Sequence, residues 1–259
     1  MGKSAALRAQ LKSTPPAFLV EAHNSLSAKI LEDIGFKEIW TSYRRISGAL
    51  GSTCLDEATS PRVLDEAGLM AMITRIPIVL DDNTKNGELD HVRCLARKLC
   101  RLEIAGLRIE DTPHLQRELD SSRRAINCAC EEFCGRIMAA KDAQTDRDFC
   151  VVAGLGRLAG SASISDAVFR SEAYCEAGAD AIFLSSSANE TDALFAFAEK
   201  WANRARLIVM SAAGYQPAIA KFEEVGVSAV IWLPKMGLDS FEIERTLGYG
   251  PRIKIMFGP

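Results

Sequence analysis

The apolar run Ile78-Val79-Leu80 ends abruptly in Asp81, Asp82, Asn83 and Thr84, with Gly87 just beyond. An uninterrupted stretch of β-branched and apolar residues reads as a strand buried on both faces. Carboxylate oxygens at its C-terminal end are the ligands that a hard cation such as Mg²⁺ takes. The competing explanation is local: Asp81, Asp82 or Thr84 caps the helix that follows. Gly106-Leu107-Arg108-Ile109-Glu110-Asp111 ends in the same acidic way. Two earlier segments add polar groups, Glu21, His23 and Asn24 after Phe18-Leu19-Val20, and Trp40 with Ser42 in Glu38-Ile39-Trp40-Thr41-Ser42. With these four ends side by side, Asp81 and Glu110 suit Mg²⁺, which keeps several waters and takes its remaining ligands from substrate. Such a metal polarises a 2-oxo acid and stabilises the negative charge of its enolate.

Bringing the four ends together requires a particular fold. Predicted strands at 18–22, 38–41, 76–80, 106–110, 149–153, 181–184, 207–210 and 228–232 alternate with helical patterns. The helices fall near 26–34, 61–74, 88–102, 128–140, 165–177, 191–203 and 217–225. A tag of helix stop, short turn and buried strand recurs at Gly35, Gly106, Gly178 and Gly226. Eight such alternations demand a parallel sheet. The 259 residues match the ~250 of one closed barrel, so the expected fold is a single-domain α/β (β/α)₈ TIM barrel. In it the C-terminal strand ends share one face, where chemistry is built. The expected divisions are a frayed polar helix within 1–16, with Leu7 and Leu11, ended by Pro15-Pro16, then the barrel at 17–235 and a tail at 236–259. Residues 42–60, rich in Ser and Gly, read as a long connection suited to a lid.

Composition narrows the function classes. Net charge is −3 and Lys and Arg are scattered, which argues against nucleic acid as a partner. No apolar run approaches the ~20 residues a membrane helix needs, so no membrane partner and a cytoplasmic location are expected. The eight cysteines contain no CxxC pair and no zinc-like histidine partner. Cys130 and Cys134 share a helix face; all but Cys54 read as packing groups.

Several stretches carry a more specific signal. Val20-Glu21-Ala22-His23-Asn24-Ser25-Leu26-Ser27-Ala28-Lys29-Ile30, Ile39-Trp40-Thr41-Ser42, Leu80-Asp81-Asp82-Asn83-Thr84, Ile109-Glu110-Asp111 and Lys141-Asp142-Ala143-Gln144-Thr145-Asp146-Arg147-Asp148-Phe149 occur in that order. Together they resemble the phosphoenolpyruvate mutase branch of the isocitrate lyase superfamily, over about residues 17 to 232. The resemblance implies a (β/α)₈ barrel with Mg²⁺ at the strand ends and chemistry through a pyruvate enolate. It matches Asp81 to the carboxylate nearest the metal and Glu110 to an acid of its water-mediated shell. Trp40 and Ser42, with Tyr43 beside them, match the substrate-contacting turn after strand two.

The departures from that pattern cluster in the same pocket. Asn83 stands where the family's metal motif has a second carboxylate. The mutase's catalytic Asp falls at Cys54, unless Asp56 substitutes after a local shift. Gly154 stands where the family places an anion-gripping arginine after strand five, and Arg157 compensates only with a rebuilt loop. Ser185 replaces a histidine, and the loop after Glu110 carries His114, Gln116 and Arg117 in place of a lysine and an asparagine. Superfamily members often exchange a C-terminal helix within a homo-oligomer, whereas the end of this chain is interrupted by Gly and Pro from Pro234 onward.

The expected function is a Mg²⁺-dependent enzyme of the mutase type, rearranging a P–C bond between phosphoenolpyruvate and phosphonopyruvate. The alternatives are a C–C or P–C lyase or hydrolase on another 2-oxo or 2-hydroxy acid, and an inactive metabolite-binding barrel. Oxygen ligands are expected from Asp81, Asn83 and Glu110, and substrate contacts from Trp40, Ser42, Tyr43 and Arg157. The catalytic group is expected at Cys54 or Asp56.

Overall fold

The computed structural model describes residues 1–51, 60–82, 89–111, 123–155, 164–186, 191–211 and 216–232. The strands are β1 (Ala17–Glu21), β2 (Glu38–Ser42), β3 (Ile78–Asp82), β4 (Gly106–Asp111), β5 (Cys150–Leu155), β6 (Ala181–Ser186), β7 (Arg206–Ser211) and β8 (Ala229–Trp232). Each pairs in parallel with the next, and β8 pairs with β1, for example Leu19 with Ile231, to close the barrel. The helices among the described residues are α1 (Lys3–Gln10), α2 (Ser25–Asp33), α3 (Tyr43–Ala49), α4 (Ser60–Ile73), α5 (Leu89–Arg101), α6 (Arg123–Ala143), α7 (Ile164–Glu176), α8 (Thr191–Trp201) and α9 (Gln216–Glu224). The single-domain (β/α)₈ barrel expected from the alternation is the fold.

Local sequence explains the individual elements. In α2, Asn24 accepts a hydrogen bond from the Ser27 amide at 2.8 Å, and the Ser27 hydroxyl reciprocates, a capping box. In α5, Val92, Leu95, Ala96 and Leu99 are buried along one stripe, with Asp90 in the first turn and Lys98 and Arg101 in the last. Gly35, Gly178 and Gly226 stop their helices with positive φ, as the repeated tag implies. The fourth tag works differently: Glu103 supplies the left-handed residue, at φ 56°, and Gly106 already lies in β4. A Cβ at Gly106 would approach the Cys150 carbonyl to 2.9 Å, so close strand contact is what requires glycine there.

The barrel strands alternate between two cores. Val20, Ile39, Leu80, Leu107, Ile109, Val151, Ala153, Ile182 and Val209 belong to the layer between sheet and helices. Leu19, Trp40, Val79, Val152, Phe183, Ile208 and Ile231 fill the barrel interior. Period-two alternation therefore puts Glu21, Ser42, Asp81, Arg108, Glu110 and Gly154 on the interior face.

Two segments differ from expectation. The amino-terminal segment is not frayed: Leu7 of α1 and Leu11, which caps its C-terminus, enter the interior core at the base of the barrel. It is fastened there by Arg8, which donates to the Asp148 carbonyl and to Asp180 Oδ1, each at 2.7 Å. A short helix with two buried leucines and one multiply bonded arginine is held by tertiary contacts rather than by helix propensity. The long connection after β2 begins as a helix, α3. Ser42 caps it by accepting from the Arg45 amide at 3.2 Å, and Gly51 at φ 77° follows its end.

Candidate active site

Arg108 organises the C-terminal mouth of the barrel. It stands in the middle of β4, two residues before Glu110 and opposite Asp81 in the register of β3 and β4. Its Nη1 donates to Asp81 Oδ1 at 2.6 Å, and its Nη2 lies 3.1 Å from Glu110 Oε1. Its guanidinium also sits over the Phe183 ring, 4.4 Å from the centroid, in cation–π contact. Phe183 in turn stacks with Trp40, ring centroids 5.4 Å apart. Arg108 is only 4% exposed, so this charge is held by protein groups rather than by water.

The electrostatics follow from that burial. Desolvation works against the Arg108 charge, but Asp81 and then Glu110 outweigh it and hold the guanidinium protonated. Burial pushes the Asp81 carboxyl above its ordinary value; Arg108 opposes the rise, while Glu110 and Asp82 add to it.

Gly154 completes the arrangement. It pairs with Glu110 in the β4–β5 register. A Cβ built on it would lie 2.5 Å from Arg108 Nε and 2.7 Å from Nη2. The guanidinium thus lies directly over the glycine, and any side chain at 154 would displace it.

A second ion pair adjoins the first. Arg45 of α3 places Nε 2.9 Å from Glu21 Oε2. Burial raises the Glu21 carboxyl, Arg45 opposes it, and the charge of Asp81 adds a smaller rise. Burial and then Arg45 push the imidazole of His23 down, toward its neutral form.

The other predicted residues divide by strand face. Trp40 is fully buried in the interior core, and its indole Nε1 has no hydrogen-bond partner among the described residues. It forms a floor beneath the mouth. Ser42, beside Asp81 in register, is occupied in capping α3. Tyr43 packs in the outer core with Ile39 and Ile46, away from the interior face. Asp82 and Asp111 also lie on the outer face. His91 Nε2 is 3.4 Å from Asp82 Oδ2, and Asp111 receives hydrogen bonds from Arg170, at 2.5 Å, and from Tyr174. These two acids tie strands to α5 and α7, so the even-odd register decides which carboxylates reach the mouth. Asn83, Cys54, Asp56, Arg157, His114, Gln116 and Arg117 lie outside the described residues.

Period-two reading of Gly106-Leu107-Arg108-Ile109-Glu110 was the available signal for Arg108. It puts Arg108 and Glu110 on one face and the apolar pair on the other. Arg45 had a weaker signal, its position three residues after the Ser42 cap.

A divalent cation between Asp81 and Glu110 would meet a site already neutralised in part. Magnesium requires oxygens at about 2.0–2.1 Å in near-octahedral array. One oxygen of each carboxylate is engaged by the same buried guanidinium. Among the described residues, no group of three or more His, Cys, Asp or Glu side chains could hold a metal ion. While Arg108 holds one oxygen of each, the two described carboxylates do not fit the ion.

Comparison with known proteins agrees with this architecture. The family described as phosphoenolpyruvate phosphomutase matches residues 7–242. The phosphoenolpyruvate phosphomutase of Tetrahymena pyriformis is 38% identical over 232 residues, 89% of this chain and 77% of that protein. The phosphonopyruvate hydrolase of Variovorax sp. (strain Pal2) is 32% identical over 231 residues, 88% of this chain and 80% of its own. A solved phosphonopyruvate hydrolase, in complex with oxalate and Mg²⁺, superposes with a TM-score of 0.76 at 28% identity, covering 98% of this chain and 88% of that one. The chain, with Asp81 and Glu110 at the mouth of its barrel, belongs to the phosphoenolpyruvate phosphomutase family.

Proposed function

We propose that the protein is an isomerase of the phosphomutase type, interconverting phosphoenolpyruvate and phosphonopyruvate through a pyruvate enolate. The observation that supports it most is the charge centre at the barrel mouth, Asp81–Arg108–Glu110, in a chain related to the phosphomutases along its whole barrel. In the forward direction the P–O bond of phosphoenolpyruvate breaks and its electron pair stays on oxygen as the enolate. C3 of the enolate then takes the phosphoryl group, forming the P–C bond, so the reaction is an isomerisation. Positive donors fixed at the mouth stabilise the enolate charge without reorganising.

Within this reading Trp40 supplies the apolar floor, and Ser42 holds α3 so that Arg45 and Glu21 border the substrate. Tyr43 anchors the same turn from the core side. We assign Arg157 to substrate binding, Asn83 to the metal ligands, and Cys54 or Asp56 to the catalytic role. Cys54→Ser and Asp56→Asn distinguish the last two: the catalytic group is the one whose loss lowers kcat by about tenfold or more. Mg²⁺ is present with oxalate in the solved phosphonopyruvate hydrolase. If this chain uses the ion, Asp81, Asn83 and Glu110 are its ligands, and Arg108 must first leave the described pairing; no step above depends on it.

A second reading, hydrolysis or lysis of a related 2-oxo acid, is favoured by one observation. The inner face at Gly154 is taken up by Arg108, so the phosphoryl end of a substrate meets an altered wall. A ³¹P spectrum of phosphonopyruvate incubated with the protein separates the readings. Rearrangement converts the phosphonate signal into that of phosphoenolpyruvate, hydrolysis releases inorganic phosphate, and an unchanged spectrum contradicts both of these; lysis of another 2-oxo acid is read by running a panel of such acids beside it.

A further inference from the structure

We propose that Arg108 is the resident cation of this site, occupying the position between Asp81 and Glu110 that a divalent metal would need. The inference deepens the enolate reading and rests on it only for the identity of the substrate.

Four contacts fix the guanidinium. Asp81 and Glu110 receive its two terminal nitrogens, Phe183 covers one face, and the bare Gly154 makes room for it. These contacts come from β3, β4, β5 and β6, so Arg108 is the point at which four consecutive strands meet. An arginine placed only to bridge two acids would not need a glycine on the adjoining strand. Here Nε and Nη2 occupy the space of that glycine's missing side chain. Nε is buried and has no hydrogen-bond partner among the described residues, which leaves one donor of the fork uncommitted beside the mouth.

Charge decides between guanidinium and metal. With Arg108 in place, one oxygen of each carboxylate is already held by a positive charge. Adding the ion while Arg108 stays places like charges within a few ångströms at low dielectric, where repulsion is strong. Truncating Arg108 removes that repulsion and leaves the buried carboxylate of Asp81 and the half-exposed one of Glu110 without their cation. Arginine also holds its charge at any accessible pH and offers planar, paired donors suited to a carboxylate or enolate. The consequence is an enzyme of this family whose electrophile is part of the chain.

Mn²⁺ binding tests this without turnover, so a protein that fails to rearrange phosphonopyruvate would still give a clear answer. Electron paramagnetic resonance of free Mn²⁺ is followed as wild-type protein is added, then Arg108→Met and Arg108→Gln. Wild type is expected to bind more weakly than about 1 mM, and each variant at least about tenfold more tightly. The new affinity is expected to vanish when Asp81→Asn is added. Mn²⁺ should raise the melting temperature of the Arg108 variants and not that of wild type. Wild-type binding tighter than about 1 mM and lost in Asp81→Asn overturns the assignment, whether or not the variants fold. Folded variants that gain no Mn²⁺ affinity also overturn it.

Discussion

The guanidinium of Arg108 lies over the bare α-carbon of Gly154, so that a methyl group at 154 would sit 2.5 Å from Nε. The two residues are on adjacent strands and specify one another: the arginine needs the vacancy, and the vacancy is filled by the arginine. Gly154→Ala should therefore destabilise the protein by about 1–3 kcal/mol, the usual cost of overpacking a filled core. In an Arg108→Ala background the same substitution should cost much less. Urea denaturation of the four proteins in this cycle measures the coupling. Equal costs in both backgrounds would show that the two side-chain positions are independent.

Asp81 should matter to stability as well as to the site. Its carboxylate is buried against a buried Arg108, and removing one partner strands the other. Asp81→Asn is expected to lose about 3 kcal/mol, with Glu110 left as the remaining partner for the guanidinium. The shift of the urea midpoint at constant slope gives this number; a loss well under 1 kcal/mol would mean that the pair is solvated in solution.

Glu38, buried at the opposite end of β2, makes a pH prediction. Burial pushes its carboxyl up to about 7, with Lys37 pulling weakly the other way. Its ordinary value is 4.5, so between 4.5 and about 7 the folded state binds the proton more tightly than the unfolded chain does. Stability from this group is therefore greatest below the ordinary value, falls as pH rises through that window and is level above it. The full fall is on the order of 3 kcal/mol. Glu38→Gln should remove the fall, leaving the variant more stable than wild type at about pH 8 and not at about pH 4.5. Paired denaturation curves at the two values check the sign.

Much of this molecule is legible in its residues. Eight alternations and the glycine stops are enough for the barrel, and strand ends are enough to single out Asp81 and Glu110. What escaped was determined by face and by tertiary contact. Asp111 looks equivalent to Glu110 until the register turns it outward, to Arg170 with Tyr174, as it turns Asp82 to His91. Tyr43 follows the Trp40–Ser42 turn yet packs in the outer core, because α3 begins there. Arg108 sits inside a strand tag whose apolar neighbours signal burial alone. Its partners are 27 residues away at Asp81 and across two further strands at Phe183, distances that no local pattern conveys. Leu7 and Leu11 look incidental in a short polar helix until the base of the barrel receives them.

Oxalate resembles the planar enolate of pyruvate, and its binding to the wild-type chain tests most directly whether Arg108 is the charge that receives that anion. Titration calorimetry is run twice, once with excess EDTA and once with Mg²⁺. The same binding isotherm is expected in both buffers, with affinity lowered at least about tenfold in Arg108→Gln under EDTA. Heat that appears only with Mg²⁺ would contradict it.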